Sequence, residues 1–89
     1  MGFPFSCVTC VVHRGAYQLQ VTFSDNATYA VDLADELEGE IFRPLKDPTL
    51  FVQVYVDPET RTVAWPNGAD LAPEFLRAIG TPILTSSPA

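Results

Sequence analysis

Apolar and polar residues alternate strictly from Tyr17 to Phe23, with an apolar residue at every odd position. Because successive side chains of a strand point to opposite faces of a sheet, this pattern predicts a half-buried β-strand. A turn-forming segment, Ser24-Asp25-Asn26-Ala27, follows, and alternation then resumes from Tyr29 to Leu33. The two runs predict a β-hairpin, and the apolar run from Val8 to His13 predicts a third strand before it.

The alternation stops between residues 34 and 51. Residues 34–37 suit one helical turn, which Gly39 ends, and Pro44 and Pro48 exclude a long helix because proline lacks a backbone N–H. We therefore expect short turns that form a lid over one face of the sheet. The large apolar residues expected to enter the core from this segment are Ile41, Phe42, Leu45 and Phe51.

A second hairpin is predicted from residue 52 to 65, around the turn Asp57-Pro58-Glu59-Thr60. Pro73 suits the first position of a short helix that ends at Gly80. The predicted fold is therefore α+β. It has an antiparallel sheet of about five strands (a three-stranded meander, an irregular segment and the second hairpin) and a short C-terminal helix. Residues 1–80 are expected to form a single domain, and residues 81–89 a loose tail.

The charge distribution narrows the classes of partner. Eleven acidic residues face five basic ones, for a net charge of -6. Proteins that bind nucleic acids cluster Lys and Arg, so we expect no direct nucleic-acid contact. One stretch of the chain contains six acids and no base. It fits either a solvated face or a surface that binds a small basic protein. Those acids are Asp25, Asp32, Asp35, Glu36, Glu38 and Glu40.

The apolar runs are too short to span a bilayer, and the N-terminus lacks the basic and apolar regions of a signal peptide. We therefore expect no membrane contact and a cytoplasmic location, where Cys7 and Cys10 would stay reduced. With His13, these cysteines have the residue types of a metal or redox site. A structural zinc site needs four ligands, however, and the sequence contains no second cysteine pair.

The sequence offers no recognisable catalytic group. His13 is the only histidine, and no Gly-x-Ser-x-Gly motif is present. Asp57 and Glu59 fit a solvent-facing turn in which the Asp57 carboxylate binds backbone amides. We therefore predict no catalytic residue, no cofactor and no metal ion.

An ordered set of motifs resembles the family called domain of unknown function 2442, over about residues 11 to 79. The resemblance implies a small bacterial or phage α+β domain without an established activity. It also implies a frequent gene neighbour, a small protein of the domain of unknown function 4160 family, in a toxin–antitoxin-like arrangement. The motifs are Phe42-Arg43-Pro44-Leu45-Lys46-Asp47-Pro48, Phe51, Val56-Asp57-Pro58-Glu59-Thr60 and Trp65-Pro66-Asn67-Gly68-Ala69-Asp70-Leu71.

Three positions depart from the family pattern that these motifs resemble. Asn26 stands where the family usually has glycine in the first turn, and asparagine tolerates the left-handed region. Arg61 also replaces a common glycine and would cost about 1 kcal/mol if its φ is positive. Ala72 stands where an aspartate often caps the last helix, so that cap is either missing or supplied by Asp70.

Two functions stay open at this point. The first is a non-enzymatic interaction domain, the antitoxin-like partner of a small basic protein encoded nearby. Its partner-binding residues would be Asp32, Asp35, Glu36, Asn67 and Asp70, although turn chemistry also explains Asn67 and Asp70. The alternative is a self-associating homodimeric scaffold. It would use an edge strand or the part of the apolar sheet face that the short helix leaves uncovered.

Overall fold

Two antiparallel sheets and three short helical segments make up residues 7–83, the part of the chain that the structure, a computed structural model, describes. The predicted α+β class is confirmed. The elements are β1 (Val8–Gly15), β2 (Gln18–Phe23), β3 (Thr28–Asp32), a 3-10 helix (Arg43–Lys46), α1 (Pro48–Phe51), β4 (Tyr55–Asp57), β5 (Thr62–Ala64), α2 (Pro73–Ile79) and β6 (Thr81–Pro82).

The larger sheet contains the predicted three-stranded meander and one further strand, in the order β1-β2-β3-β6. The turn between β2 and β3 uses Asn26 at φ 72°, as its turn chemistry predicts. Thr81 and Pro82 form β6 opposite Ala30 and Tyr29 of β3, although the sequence placed them in the tail. Residues 84–89 of that predicted tail lie outside the described residues.

The second hairpin forms a two-stranded sheet of its own and does not extend the larger one. Its first strand begins at Tyr55 and not at residue 52 as predicted, because Val52 is the C-cap of α1 and is 49% exposed. Val8 at the start of β1 donates its N–H to the Arg61 carbonyl at 2.9 Å, which connects the two sheets at one corner.

The apolar face of the larger sheet is buried at its centre and half-buried at Val11 and Tyr29. Leu19, Val21, Phe23 and Val31 are each at most 1% exposed. They are covered by residues 34–51 (called the lid segment below), the second hairpin and α2, which all contribute to one core. The helix α2 therefore covers only part of this face, and the lid segment and the second hairpin cover most of the remainder. The opposite side of this sheet, which carries Val12, Gln20 and Ala30 and is called the outer face below, is open to solvent.

The lid segment delivers most of the predicted apolar residues to the core. Leu45 and Phe51 are completely buried, and Phe42 is half-buried against the core. Ile41 is 44% exposed, so its predicted place in the core is wrong. The chain reverses at Gly39, where φ is 93° and the Arg43 N–H binds the Gly39 carbonyl, and this turn leaves Ile41 on the outside.

The turn between β4 and β5 contains the positive φ on which the expected cost at Arg61 depends. Arg61 has φ 59°, in the left-handed region that disfavours residues with a Cβ. Its N–H donates to the Asp57 carbonyl at 2.7 Å, and its carbonyl accepts from Val8. Both the backbone N–H and the carbonyl of Arg61 are therefore hydrogen-bonded, which holds the residue in this conformation.

Replacing Arg61 with glycine should stabilise the protein by about 1 kcal/mol, because glycine adopts this φ without steric cost. Both backbone hydrogen bonds of residue 61 are kept in the variant. Chemical denaturation of the two proteins measures the difference. An unchanged or lower midpoint would show that the Arg61 side chain contributes contacts that offset its backbone strain.

Candidate functional site

A loop of residues 33–40, called the acidic loop below, presents four carboxylates to solvent. Leu33 and Leu37 fix the loop to the core, since both are at most 1% exposed. The Leu33 N–H donates to the Tyr17 carbonyl at 2.9 Å, and the Glu36 N–H donates to the Leu33 carbonyl at 2.9 Å. Because the two leucines point into the core, the acidic side chains between and after them point to solvent. The acids are Asp35, Glu36, Glu38 and Glu40.

Asn67 holds the far end of this loop, although it is distant in sequence. Its Nδ2 donates to the carbonyl of Ile41, the residue after Glu40, at 2.9 Å. Its Oδ1 accepts from the Ala69 N–H at 3.1 Å, which fixes the amide in place. The structure thus brings one predicted site residue from the second half of the chain to the end of the acidic loop.

The carboxylates of the acidic loop are only weakly compensated. Glu38 lies 3.8 Å from the Lys46 ammonium, with both side chains more than half exposed. Such an exposed pair contributes little to stability, about 0–1 kcal/mol. Within residues 7–83, the carboxylates of Asp35, Glu36 and Glu40 form no ion pair or hydrogen bond. Their charge is therefore open to a partner.

Two acids of the same sequence window lie elsewhere. Asp32, at the end of β3, belongs to the outer face of the sheet and accepts the Ala34 N–H at 2.9 Å. Asp25, in the turn between β2 and β3, forms an ion pair with Arg77 of α2 at 3.1 Å. The uninterrupted acidic window of the sequence therefore becomes three separate sites in the fold.

Arg77 ties α2 to the sheet through charge and aromatic contacts. Its guanidinium carbon lies 4.7 Å from the centre of the Phe23 ring and 5.0 Å from that of the Tyr29 ring. The Ala27 N–H, which donates to the Asp25 carboxylate, and the neighbouring Arg77 lower the pKa of Asp25 below its ordinary value. The charged form of Asp25 is thus the one that the fold favours.

This lowered pKa predicts a pH-dependent part of the stability. Because the folded pKa lies below the unfolded one, the contribution of Asp25 is present above the ordinary carboxyl value of 3.8 and is lost as the pH falls through the lowered pKa. Asp25→Asn keeps the acceptor for Ala27 but removes the charge. Its melting temperature should lie below that of the native protein near neutral pH, and the gap should close on acidification. A gap that stays constant with pH would contradict the prediction.

The corner of residues 65–70 is built as turn chemistry predicts. Trp65 is 1% exposed and donates its Nε1 to the Phe51 carbonyl at 3.0 Å, while the Gly68 N–H donates to the Trp65 carbonyl at 3.0 Å. Asp70 pairs through its backbone with Ala64, and its exposed carboxylate has no partner among residues 7–83. It caps no helix, since the N-cap of α2 is Ala72 and no side chain forms a cap hydrogen bond there.

The other candidate chemical groups lie apart. Cys7 is half-buried and Cys10 is exposed, and both are free thiols. The His13 Nε2 donates to the Ala16 carbonyl at 2.9 Å, and the Asp57 carboxylate accepts the Glu59 N–H at 2.8 Å, as predicted for that turn. Among the described residues, no three His, Cys, Asp or Glu side chains come together to hold a metal ion. No helix within residues 7–83 has the length and apolar character needed to cross a membrane.

A family model described as "Protein of unknown function (DUF2442)" matches residues 8–82. The chain belongs to the DUF2442 family. The match runs from β1 to β6 and includes the acidic loop and the corner of residues 65–70, so it confirms the resemblance carried by the sequence motifs. Searches of curated proteins and of solved structures found no match to this DUF2442 domain.

One charged residue of the surface was missed by sequence reasoning. Arg14 is the extra residue of a bulge in β1, where His13 lies opposite Leu19 and Gly15 lies opposite Gln18. It shares a groove on the outer face with Asp32, two strands away. Alternation cannot predict this placement, because a bulge shifts the pattern by one residue.

Proposed function

We propose that this DUF2442 domain is a non-enzymatic protein-interaction domain whose acidic loop binds a small basic protein. The observation that carries the proposal is the fixed presentation of four exposed carboxylates, held by the buried residues Leu33 and Leu37 and by the Asn67 contact to Ile41. A loop that is already ordered loses little conformational entropy on binding. The proposal extends to the antitoxin-like role that the resemblance implies.

The chemistry of the loop favours a basic partner with an apolar element. Three of the four carboxylates have no cation within residues 7–83, so a Lys- or Arg-bearing surface would supply their first close counter-charges. Ile41 lies next to these acids and is 44% exposed, which offers an apolar contact beside the charges. Binding of this kind is accelerated by charge attraction and weakens as salt rises.

The first test is capture of the partner from source cells with the tagged domain, at low and at moderate salt, followed by mass spectrometry. We expect one small basic protein in stoichiometric amount, lost at the higher salt. Recovery of the tagged domain alone at both salts would overturn the proposal.

The second test locates the binding surface with two matched variants. Asp35→Asn/Glu36→Gln removes two charges from the acidic loop and should weaken binding of the captured protein roughly ten-fold in calorimetry. Glu59→Gln/Glu74→Gln removes the same charge from exposed positions on the second hairpin and α2, and should change the affinity by less than about two-fold. Equal losses in the two variants would show that net charge, and not the loop, determines binding.

Asp70 is tested separately because it lies outside the acidic loop. Its carboxylate is exposed and unpaired among residues 7–83, so Asp70→Ala should leave the fold unchanged. If the variant keeps its melting temperature but loses the partner, the binding surface includes the corner of residues 65–70. Unchanged binding would restrict the site to the acidic loop.

A further inference from the structure

The outer face of the larger sheet has an unusual charge pattern for an exposed surface. Strands β1, β2 and β3 align Val12, Gln20 and Ala30 in one row and Cys10, Thr22 and Thr28 in the next. None of these six residues is charged, and Val12 is 40% exposed. A face with uncharged residues at its centre and charges at its rim has the distribution found in protein interfaces.

Two opposite charges stand at one end of this face. Gln18 of β2 lies opposite Asp32 of β3 on one side and opposite Gly15 of β1 on the other, with Arg14 in the adjoining bulge. Arg14 and Asp32 are therefore two strand spacings apart, about 10 Å. Neither side chain forms an ion pair with another of residues 7–83.

We infer that the outer face packs against the outer face of a second copy of this chain, around a two-fold axis that runs along β2. Such an axis leaves positions along the strand unchanged and exchanges the two sides of β2. It therefore places Arg14 of each copy opposite Asp32 of the other and forms two ion pairs. The same operation places Val12 against Ala30, so the charges and the apolar contacts are satisfied together.

The side chains that lie on the axis can hydrogen-bond to the same side chains of the second copy. Gln20 and Thr22 of β2 would each meet the same residue of the second copy. A glutamine amide both donates and accepts hydrogen bonds, as does a threonine hydroxyl, so each pair can form reciprocal bonds. A groove of about 430 Å³ on this face, lined by Gln18 and Gln20, gives the partner's glutamine side chains room to enter.

The sheet edges are less suited to self-association than this face. β6 is two residues long and contains Pro82, which has no N–H to donate to an added strand. β1 at the other edge has register shifts near both ends and is contacted by β4. These are features that block strand addition. The exposed face is therefore better suited to a second copy than either edge of this sheet.

Reversal of either charge tests the pairing in solution. Arg14→Asp leaves two acids at each contact and Asp32→Arg leaves two bases, so each single variant should raise the dimer dissociation constant on the order of a hundred-fold. Sedimentation velocity from micromolar to millimolar concentration measures this. The native chain should sediment at twice its mass of 9.7 kDa, and each single variant at that mass.

Restoration of the charge pairs makes the test specific. An equimolar mixture of the two single variants should recover the dimer, because one chain then carries arginine at both positions and the other carries aspartate at both. Each contact again joins one base to one acid. The double variant Arg14→Asp/Asp32→Arg should recover the dimer as well. A monomeric native chain, single variants that still dimerise, or a mixture that stays monomeric would each overturn the inference.

Controls separate this interface from the proposed partner site. Glu74→Lys changes a charge on α2, which packs on the other side of the sheet, and should leave the dimer intact. The acidic-loop variant Asp35→Asn/Glu36→Gln should also remain dimeric while its partner binding falls. Loss of the dimer in either control would place the interface elsewhere. Circular dichroism confirms that every variant is folded.

Discussion

Replacement of Phe51 by alanine is expected to lower the free energy of unfolding by about 3–5 kcal/mol, the largest effect of any single change considered for this protein. Phe51 is completely buried, and its ring lies 5.1 Å from Tyr17, 5.7 Å from His13 and 5.7 Å from Trp65, measured between ring centres. The variant would leave a cavity that all three neighbouring rings border. A domain of this size has only about 4–13 kcal/mol of stability to lose.

The neighbouring residue provides a matched control for this experiment. Val52 follows Phe51 directly but is 49% exposed, so Val52→Ala should change the stability by no more than about 0.5 kcal/mol. Denaturation monitored by Trp65 fluorescence reports on both variants, because the indole packs against the Phe51 ring. Similar losses of unfolding free energy in the two variants would mean that buried Phe51 contributes no more to stability than exposed Val52 does, which would contradict the prediction.

The dependence on Phe51 explains why the lid segment is needed at all. The sheet places Leu19, Val21 and Phe23 on one face, and a seven-residue helix cannot cover them alone. The 3-10 helix and α1 supply the missing apolar volume through Leu45 and Phe51. The sequence predicts these two residues in the core because both are large and apolar, but the same reasoning is wrong for Ile41.

The strands and turns could be predicted from sequence because their causes are local. Alternation of apolar and polar residues predicts β2 and β3. The residue types at Asn26 and Asp57 predict the two turns that contain them. The position of β6 could not be predicted, since Thr81 and Pro82 have no pattern of their own. They pair with β3 only because α2 ends beside it, which is a consequence of tertiary packing.

The candidate binding surfaces could likewise be predicted from the sequence only in part. The charge of the acidic loop is visible in the sequence, and its exposure follows from the leucines that alternate with the acids. The contact of Asn67 with Ile41 could not be predicted, since it joins residues 26 positions apart. Likewise, Arg14 and Asp32 come to one face only through a bulge and two strand pairings.

Separation of these two surfaces has a consequence for assembly. The acidic loop follows β3 and is fixed to the core by Leu33 and Leu37, whereas Asp32 lies on the outer face. A dimer formed through the outer face would leave both acidic loops exposed. Two copies of the basic partner could then bind one dimer, and partner binding and dimerisation would respond to different mutations.

Replacement of Gly80 by alanine is the second change with a large expected effect, and its sign decides how tightly α2 is docked. Gly80 has φ -83°, a conformation that alanine adopts freely. Without steric conflict, the change would stabilise the protein by about 0.4–1 kcal/mol, because alanine lowers the entropy of the unfolded chain. The structure argues for the opposite sign.

A Cβ at residue 80 would lie 2.7 Å from the Leu76 carbonyl oxygen, 3.0 Å from Val31 Cγ2 and 3.3 Å from the Ala30 carbonyl oxygen. Two of these atoms belong to the backbone and cannot rotate away. The Gly80 N–H also holds the Leu76 carbonyl at 2.9 Å, and Thr81 pairs with Ala30. We therefore expect a loss of about 1–3 kcal/mol, the usual cost of overpacking.

Thermal denaturation of Gly80→Ala measures the sign, with Ala78→Ser as the control that adds one atom to an exposed position of the same helix. The control should change the stability by no more than about 0.5 kcal/mol. Amide exchange should show faster exchange at Ile83, whose N–H binds the Thr28 carbonyl at 2.8 Å beside β6. A stabilised Gly80→Ala variant with unchanged exchange would contradict the prediction. It would show that the atoms around residue 80 accommodate the added methyl group without loosening the pairing of β6 with β3.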